Sequence, residues 1–185
     1  MSILTTLLLS LLLASFGGMT EASALSVQSE SETLFDAPIQ DEPDSLIGKR
    51  FLDVKENDPN GKAHRLSKYA GKGKWVLVDF WASWCGPCRG EMPNVVAAYK
   101  KYHDKGFEIV GLSFDVDKDA WNNAIRTWDM PWIHLSDLKG WESVAGLVYG
   151  IHGIPDNVLI DPDGIIVARD LRGPQLDAWL SDIFE

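Results

Sequence analysis

The chain has 185 residues, 45% of them hydrophobic and 24% charged, with a formal charge of −10. That balance excludes a disordered or collagen-like polypeptide, and the acidity argues against binding a phosphate backbone. Two cysteines are too few for a scaffold stapled by several disulfides.

The charge is uneven. Residues 1–48 hold seven acids and no Lys or Arg, so residues 49–185 are close to neutral at −3. Ile3 to Phe16 is an apolar run interrupted only by Thr5, Thr6, Ser10 and Ser15. It is shorter than the roughly 20 residues a transmembrane helix needs. Ala22-Ser23-Ala24 follows with the small-x-small pattern of a signal-peptidase site. Residues 1–24 therefore read as a signal peptide cleaved after Ala24, although the first residues lack the usual Lys or Arg. An uncleaved anchor is the alternative. Residues 25–45, rich in Ser, Asp, Glu and Pro, read as an acidic linker with too little apolar surface to fold alone. A folded domain is expected over 46–185.

Within that domain, Phe51 to Val54 reads as a short strand, and Asn57-Asp-Pro-Asn-Gly61 as a hairpin turn. Trp75 to Trp81 is nearly all apolar, the pattern of a central strand buried on both faces. A helix follows from about Pro87 to Lys105, with Cys88, Met92, Val95, Val96, Tyr99 and Tyr102 on one stripe. Phe107 to Phe114 is a second buried strand. Asp117 to Trp128 and Trp141 to Tyr149 read as helices. Asn157 to Ile160 and Ile165 to Ala168 read as strands joined by the turn Asp161-Pro-Asp-Gly164. Pro174 to Phe184 closes the chain as a helix opened by its proline. The order predicts an α/β fold. Its first two sheet strands should be parallel and its last two an antiparallel hairpin.

Trp84-Cys85-Gly86-Pro87-Cys88 lies where a buried strand ends and a helix begins. Helix N-termini carry unpaired N–H groups and the positive end of the helix dipole, so a thiolate there is stabilised. Cys85 should stand partly exposed at that opening and Cys88 one turn inside, shielded. A bridge between cysteines three apart constrains little. A structural zinc site wants four ligands, and no second cysteine pair exists. The pair reads as a redox dithiol, with metal binding and a structural bridge as the weaker readings.

Residues 78–88, Val-Asp-Phe-Trp-Ala-Ser-Trp-Cys-Gly-Pro-Cys, resemble the active-site segment of thioredoxin. Pro93 matches that family's proline inside the following helix, and Tyr149-Gly-Ile-His-Gly-Ile-Pro155 resembles its cis-proline segment. An N-terminal hairpin, an insertion around 116–140 and Leu-Ile-Asp-Pro-Asp-Gly (159–164) resemble the extracytoplasmic TlpA/ResA-like members. The likeness covers residues 46–185. It implies a thioredoxin fold: a central mixed β-sheet flanked by helices, with a β-hairpin extension.

The resemblance also implies roles. Cys85 would be the attacking thiolate and Cys88 the resolving thiol, exchanging through a mixed disulfide. Asp79 would be the buried carboxylate below the dithiol, its pKa raised, trading a proton with Cys88. Glu91, one turn past Cys88, would be an active-site acid. Pro155 would be cis, and Trp84, Gly153, Ile154, Pro155 and Asp156 would form the groove for an extended client segment. Two departures stand out. The family's lysine near the buried Asp is here Gly111, and the residue after the cis-proline, commonly Thr, is Asp156. An Asp156 carboxylate at the rim would oppose a thiolate on Cys85. Of the histidines, His64 and His103 read as solvated, and His134 and His152 carry weak claims to the site.

The function so implied is a thiol-disulfide oxidoreductase of the cell envelope, periplasmic or secreted, without cofactor or metal. Its partners would be a disulfide-bearing client protein and a membrane electron donor. A monomer is expected, with no nucleic acid. Gly-Pro between the cysteines leans toward a reductase. Two other classes stay open: a Cu(I) chaperone using Cys85, Cys88 and His152 or Met92, and a thiol peroxidase. The Pro-x-x-x-Thr-x-x-Cys setting of peroxidases is absent.

Overall fold

The computed structural model describes residues 46–185. The expected signal peptide and linker lie outside the described residues. Two strands, β1 (Lys55–Asn57) and β2 (Ala63–Arg65), form an antiparallel hairpin. The main sheet comprises β3 (Trp75–Trp81), β4 (Phe107–Ser113), β5 (Ile133–Leu135), β6 (Asp156–Ile160) and β7 (Ile166–Arg169). The helices are α1 (Gly86–Tyr102), α2 (Lys118–Thr127), α3 (Val144–Val148) and α4 (Pro174–Phe184).

The sheet order is β5-β4-β3-β6-β7. β3 pairs parallel to β4 and β4 parallel to β5, whereas β3–β6 and β6–β7 are antiparallel. This is the mixed sheet of a thioredoxin fold, with the parallel pair and the closing hairpin as expected. β3 sits at the centre because its residues from Val76 to Trp81 are all buried. Alternate side chains face the two helical layers, and each large apolar side chain buried contributes roughly 1.5–3 kcal/mol.

Three expectations about local structure are corrected. Residues 51–54 are not a strand. The backbone of Leu52 is engaged elsewhere: its N–H donates to Tyr149 Oη (3.1 Å), and the Tyr149 hydroxyl donates to the Leu52 carbonyl (2.7 Å). The strand begins only at Lys55. The short β5 was not expected; it adds to the sheet through Val110–Ile133, Gly111–His134 and Leu112–Leu135. His64 is not solvated, since its ring lies between Asp58 Oδ2 (3.1 Å) and Tyr69 Oη (2.8 Å).

The hairpin is fastened to the edge beyond β5. Asn57 and Ser136 exchange backbone hydrogen bonds of 3.2 and 2.9 Å. Glu56 is buried there, accepting from Ser143 Oγ (3.3 Å). Burial pushes its carboxyl up to about 7, with the nearby charge of Asp137 acting in the same direction.

Candidate active site

β3 ends at Trp81, and a short loop delivers Cys85 as the N-cap of α1, with Pro87 in the first turn. The loop is fixed from below by Asp115, which is 1% exposed. Ser83 N–H (3.0 Å) and Ser113 Oγ (2.7 Å) donate to its carboxylate, as does Ser83 Oγ. A buried carboxylate is stable only when so paired.

Cys85 and Cys88 are joined by a disulfide, their Cα atoms 5.3 Å apart. Cys88 N–H donates to Cys85 Sγ at 3.1 Å. That donor, at the positive end of a helix with 17 residues, would stabilise a thiolate on Cys85 once the bridge is reduced. Cys85 is more enclosed than its place at the helix opening suggests: it is 5% exposed in this bridged state, against 1% for Cys88. Trp84, 53% exposed, is the projecting residue. A Cβ on Gly86 would meet nothing within 4 Å.

The Ile154–Pro155 bond is cis, and the Ile154 carbonyl oxygen lies 3.6 Å from Cys85 Sγ. Two arginines hold this loop. Arg172 donates to the Pro155 carbonyl (2.6 Å). Arg169 donates to the Gly150 carbonyl (3.1 Å) and pairs with Asp156 Oδ2 at 2.8 Å. The Asp156 side chain is 13% exposed. It is thus neither bare nor solvated, because it is paired with Arg169.

Asp79 is buried on β3, with Asn157 beside it on β6 and Gly111 on β4. Burial pushes its carboxyl up to about 7, and the negative charges of Glu91 and Asp156 add to the shift. Its Oδ2 has no hydrogen-bond partner among the described residues. Glu91 accepts from Gly173 N–H (2.6 Å) and Asn94 Nδ2 (3.1 Å), tying α1 to the start of α4. The place of a side chain at 111 is taken by two rings. A Cβ on Gly111 would lie 2.8 Å from His134 Nδ1 and 2.9 Å from Trp81 Nε1. Burial lowers His134 to about 4, so its imidazole is neutral, with Nε2 donating to the Met130 carbonyl (3.2 Å).

The structure therefore gathers Cys85, Cys88, Trp84, Ile154 and Pro155 at one end of the sheet. Asp79 lies in the core, close enough to Glu91 and Asp156 to feel their charges. Sequence reading missed Asp115, Arg169 and Arg172. A Ser-x-Asp at the end of β4 was a faint signal for the first; the arginines, far from any motif, gave none. Gly153 lies in the loop between Gly150 and Pro155, in a shallow depression with His152 and Arg172. Among the described residues no three His, Cys, Asp or Glu side chains cluster to hold a metal ion. Among the same residues no helix is long and apolar enough to cross a membrane.

A five-stranded mixed sheet with a Cys-Gly-Pro-Cys disulfide at a helix N-terminus and a facing cis-proline defines a thioredoxin-fold redox protein. The chain belongs to the AhpC/TSA family, which it matches over residues 47–169. It is 33% identical over 150 residues to the thiol-disulfide oxidoreductase ResA of Bacillus cereus, covering 81% of this chain and 83% of that one. It is 31% identical over 149 residues to the thiol:disulfide interchange protein HelX of Rhodobacter capsulatus, covering 70% and 81%. The thioredoxin domain of a thiol-disulfide oxidoreductase from Bacteroides vulgatus superposes with a TM-score of 0.69 at 34% identity, over 75% of this chain and 98% of that one.

Proposed function

We propose that this chain is a cell-envelope thiol-disulfide oxidoreductase that reduces protein disulfides through Cys85 and Cys88. The observation that carries this is the bridged pair at the N-terminus of α1, with Cys88 N–H on Cys85 Sγ and the Ile154 carbonyl facing the same sulfur. The thiolate of reduced Cys85 attacks a client disulfide. A Cys85–client S–S bond forms, the client's own S–S bond breaks, and the departing client thiolate takes a proton. Cys88 then gives its proton to the Asp79 carboxylate and attacks Cys85 Sγ. The intramolecular disulfide forms, and the second client sulfur leaves as a thiol once protonated. Two electrons and two protons pass to the client.

Asp79 suits this role because its carboxyl, held near 7, can both take and release a proton at neutral pH. Glu91 acts on that step through its charge on Asp79 and through its tie to Gly173. The client's backbone pairs beside Ile154 and Pro155, flanked by Gly153, with the Trp84 indole as its apolar wall. Asp156, held by Arg169, braces the groove.

The apolar run Ile3 to Phe16 and Ala22-Ser23-Ala24 support export, with a mature protein beginning at Leu25. N-terminal sequencing of the envelope fraction tests that. An exported reductase needs electrons from a membrane dithiol donor, because the compartment is oxidising. Equilibration of the couple against glutathione buffers tests the direction. A potential near thioredoxin's, about −270 mV, supports a reductase; one near DsbA's, about −120 mV, overturns it.

A further inference from the structure

Beside Cys85 a cleft of about 550 Å³, lined by no residue of the cis-proline loop, runs between the start of α1 and α2. Its walls include Trp84, Cys85 and Arg89 on one side and Asn123, Thr127 and Trp128 on the other. Resting on the reductase reading, we propose that this cleft selects client segments carrying an acidic side chain next to the cysteine under attack.

Arg89 directly follows Cys88 and is exposed; its backbone N–H donates to the Cys85 carbonyl (3.1 Å), while its guanidinium has no hydrogen-bond or ion-pair partner among the described residues. No acid lines the cleft. Asp115 is taken by Ser83 and Ser113, Glu91 by Gly173 and Asn94, and Asp156 by Arg169. Asp117 caps α2 through the N–H groups of Asp119 and Ala120. Among the residues that line the cleft Arg89 alone carries a formal charge, so the cleft presents a positive charge next to the reacting sulfur, on a chain whose formal charge is −10.

Across from Arg89, the Asn123 amide is likewise without a side-chain partner among the described residues, and it is a donor facing the same space. The Thr127 hydroxyl is spent on the Asn123 and Ala124 carbonyls. A carboxylate in the cleft meets a guanidinium and an amide donor, and its aliphatic stem packs on the indole of Trp84. An ammonium there is repelled by the guanidinium.

The test uses three otherwise identical disulfide peptides with Glu, Gln or Lys beside the cysteine. Each is reduced by the wild-type protein, Arg89→Gln and Arg89→Glu. Ratios between peptides within one variant cancel any effect of Arg89 on the thiol itself. For the wild type, kcat/KM should fall in the order Glu, Gln, Lys, by about threefold per step, the size of an exposed charge pair. The spread should shrink in 0.5 M salt. Arg89→Gln should flatten the order and Arg89→Glu should reverse it.

One order kept by all three variants, or a wild-type preference for Lys, overturns the proposal. Failure to reduce any peptide strikes the reductase reading instead. In that case, competition of the same peptides for Cys85 in Cys88→Ser, read by mass spectrometry of the mixed disulfides, still decides the cleft. A trapped fraction insensitive to the peptide's charge rejects it.

Discussion

Replacing Asp79 by Asn should stabilise the oxidised protein, and by more at high pH than at low. The carboxyl is moved by burial from its ordinary 3.8 up to about 7. A group with a folded pKa above its unfolded one binds more protons when folded. Stability is therefore full below 3.8 and falls as pH rises toward 7, where the buried group must ionise. At about 1.36 kcal/mol per decade the displacement costs about 4 kcal/mol at pH 8.5. At pH 4.5 only the first part of that window has been crossed, and the cost is about 1 kcal/mol. The amide introduced by Asp79→Asn mimics the neutral acid and avoids the cost at both values. Urea unfolding of the oxidised wild type and Asp79→Asn at the two pH values measures it. The raised carboxyl of Glu56 works in the same direction but is present in both proteins and cancels in the difference. An equal effect at pH 4.5 and 8.5, or a loss of stability at 8.5, would refute the reasoning.

The same electrostatics predict that the rate of the Cys88 resolving step rises with pH through a midpoint near 7, where Asp79 becomes able to accept a proton. Glu91→Gln should move that midpoint down, because it removes a negative charge while keeping an acceptor for Gly173 N–H; single-turnover kinetics across pH would show it. Gly111→Ala should cost roughly 1–3 kcal/mol in urea unfolding, since its Cβ would press on His134 and Trp81 at 2.8 and 2.9 Å. Arg169→Gln should cost about 3 kcal/mol by the same measurement, because Asp156 would be left enclosed and uncompensated.

What could be read from the sequence was what is local. β3 announced itself by its apolar run, α4 by Pro174, and the redox pair by its place between a buried strand and a helix. β5 was not legible. It has three residues, its middle one is a histidine, and its membership in the sheet depends on Gly111 making room for that ring. The misplaced strand at 51–54 failed for a similar reason. Tyr149, 97 residues away, captures both polar groups of Leu52. The pairing of Asp156 was not legible because Arg169, its partner, comes from the next strand across a turn, and no spacing rule pairs them.

The central claim is that Cys85 attacks and Cys88 resolves. It is tested most directly by mixing reduced Cys88→Ser and Cys85→Ser with a disulfide-bearing protein and mapping the trapped adducts by peptide mass spectrometry. A stable mixed disulfide is expected on Cys85 in Cys88→Ser and almost none on Cys88 in Cys85→Ser, because Cys88 lies in the first turn of α1 with 1% of its surface exposed. Equal trapping in the two variants, or adducts on Cys88 alone, would contradict it.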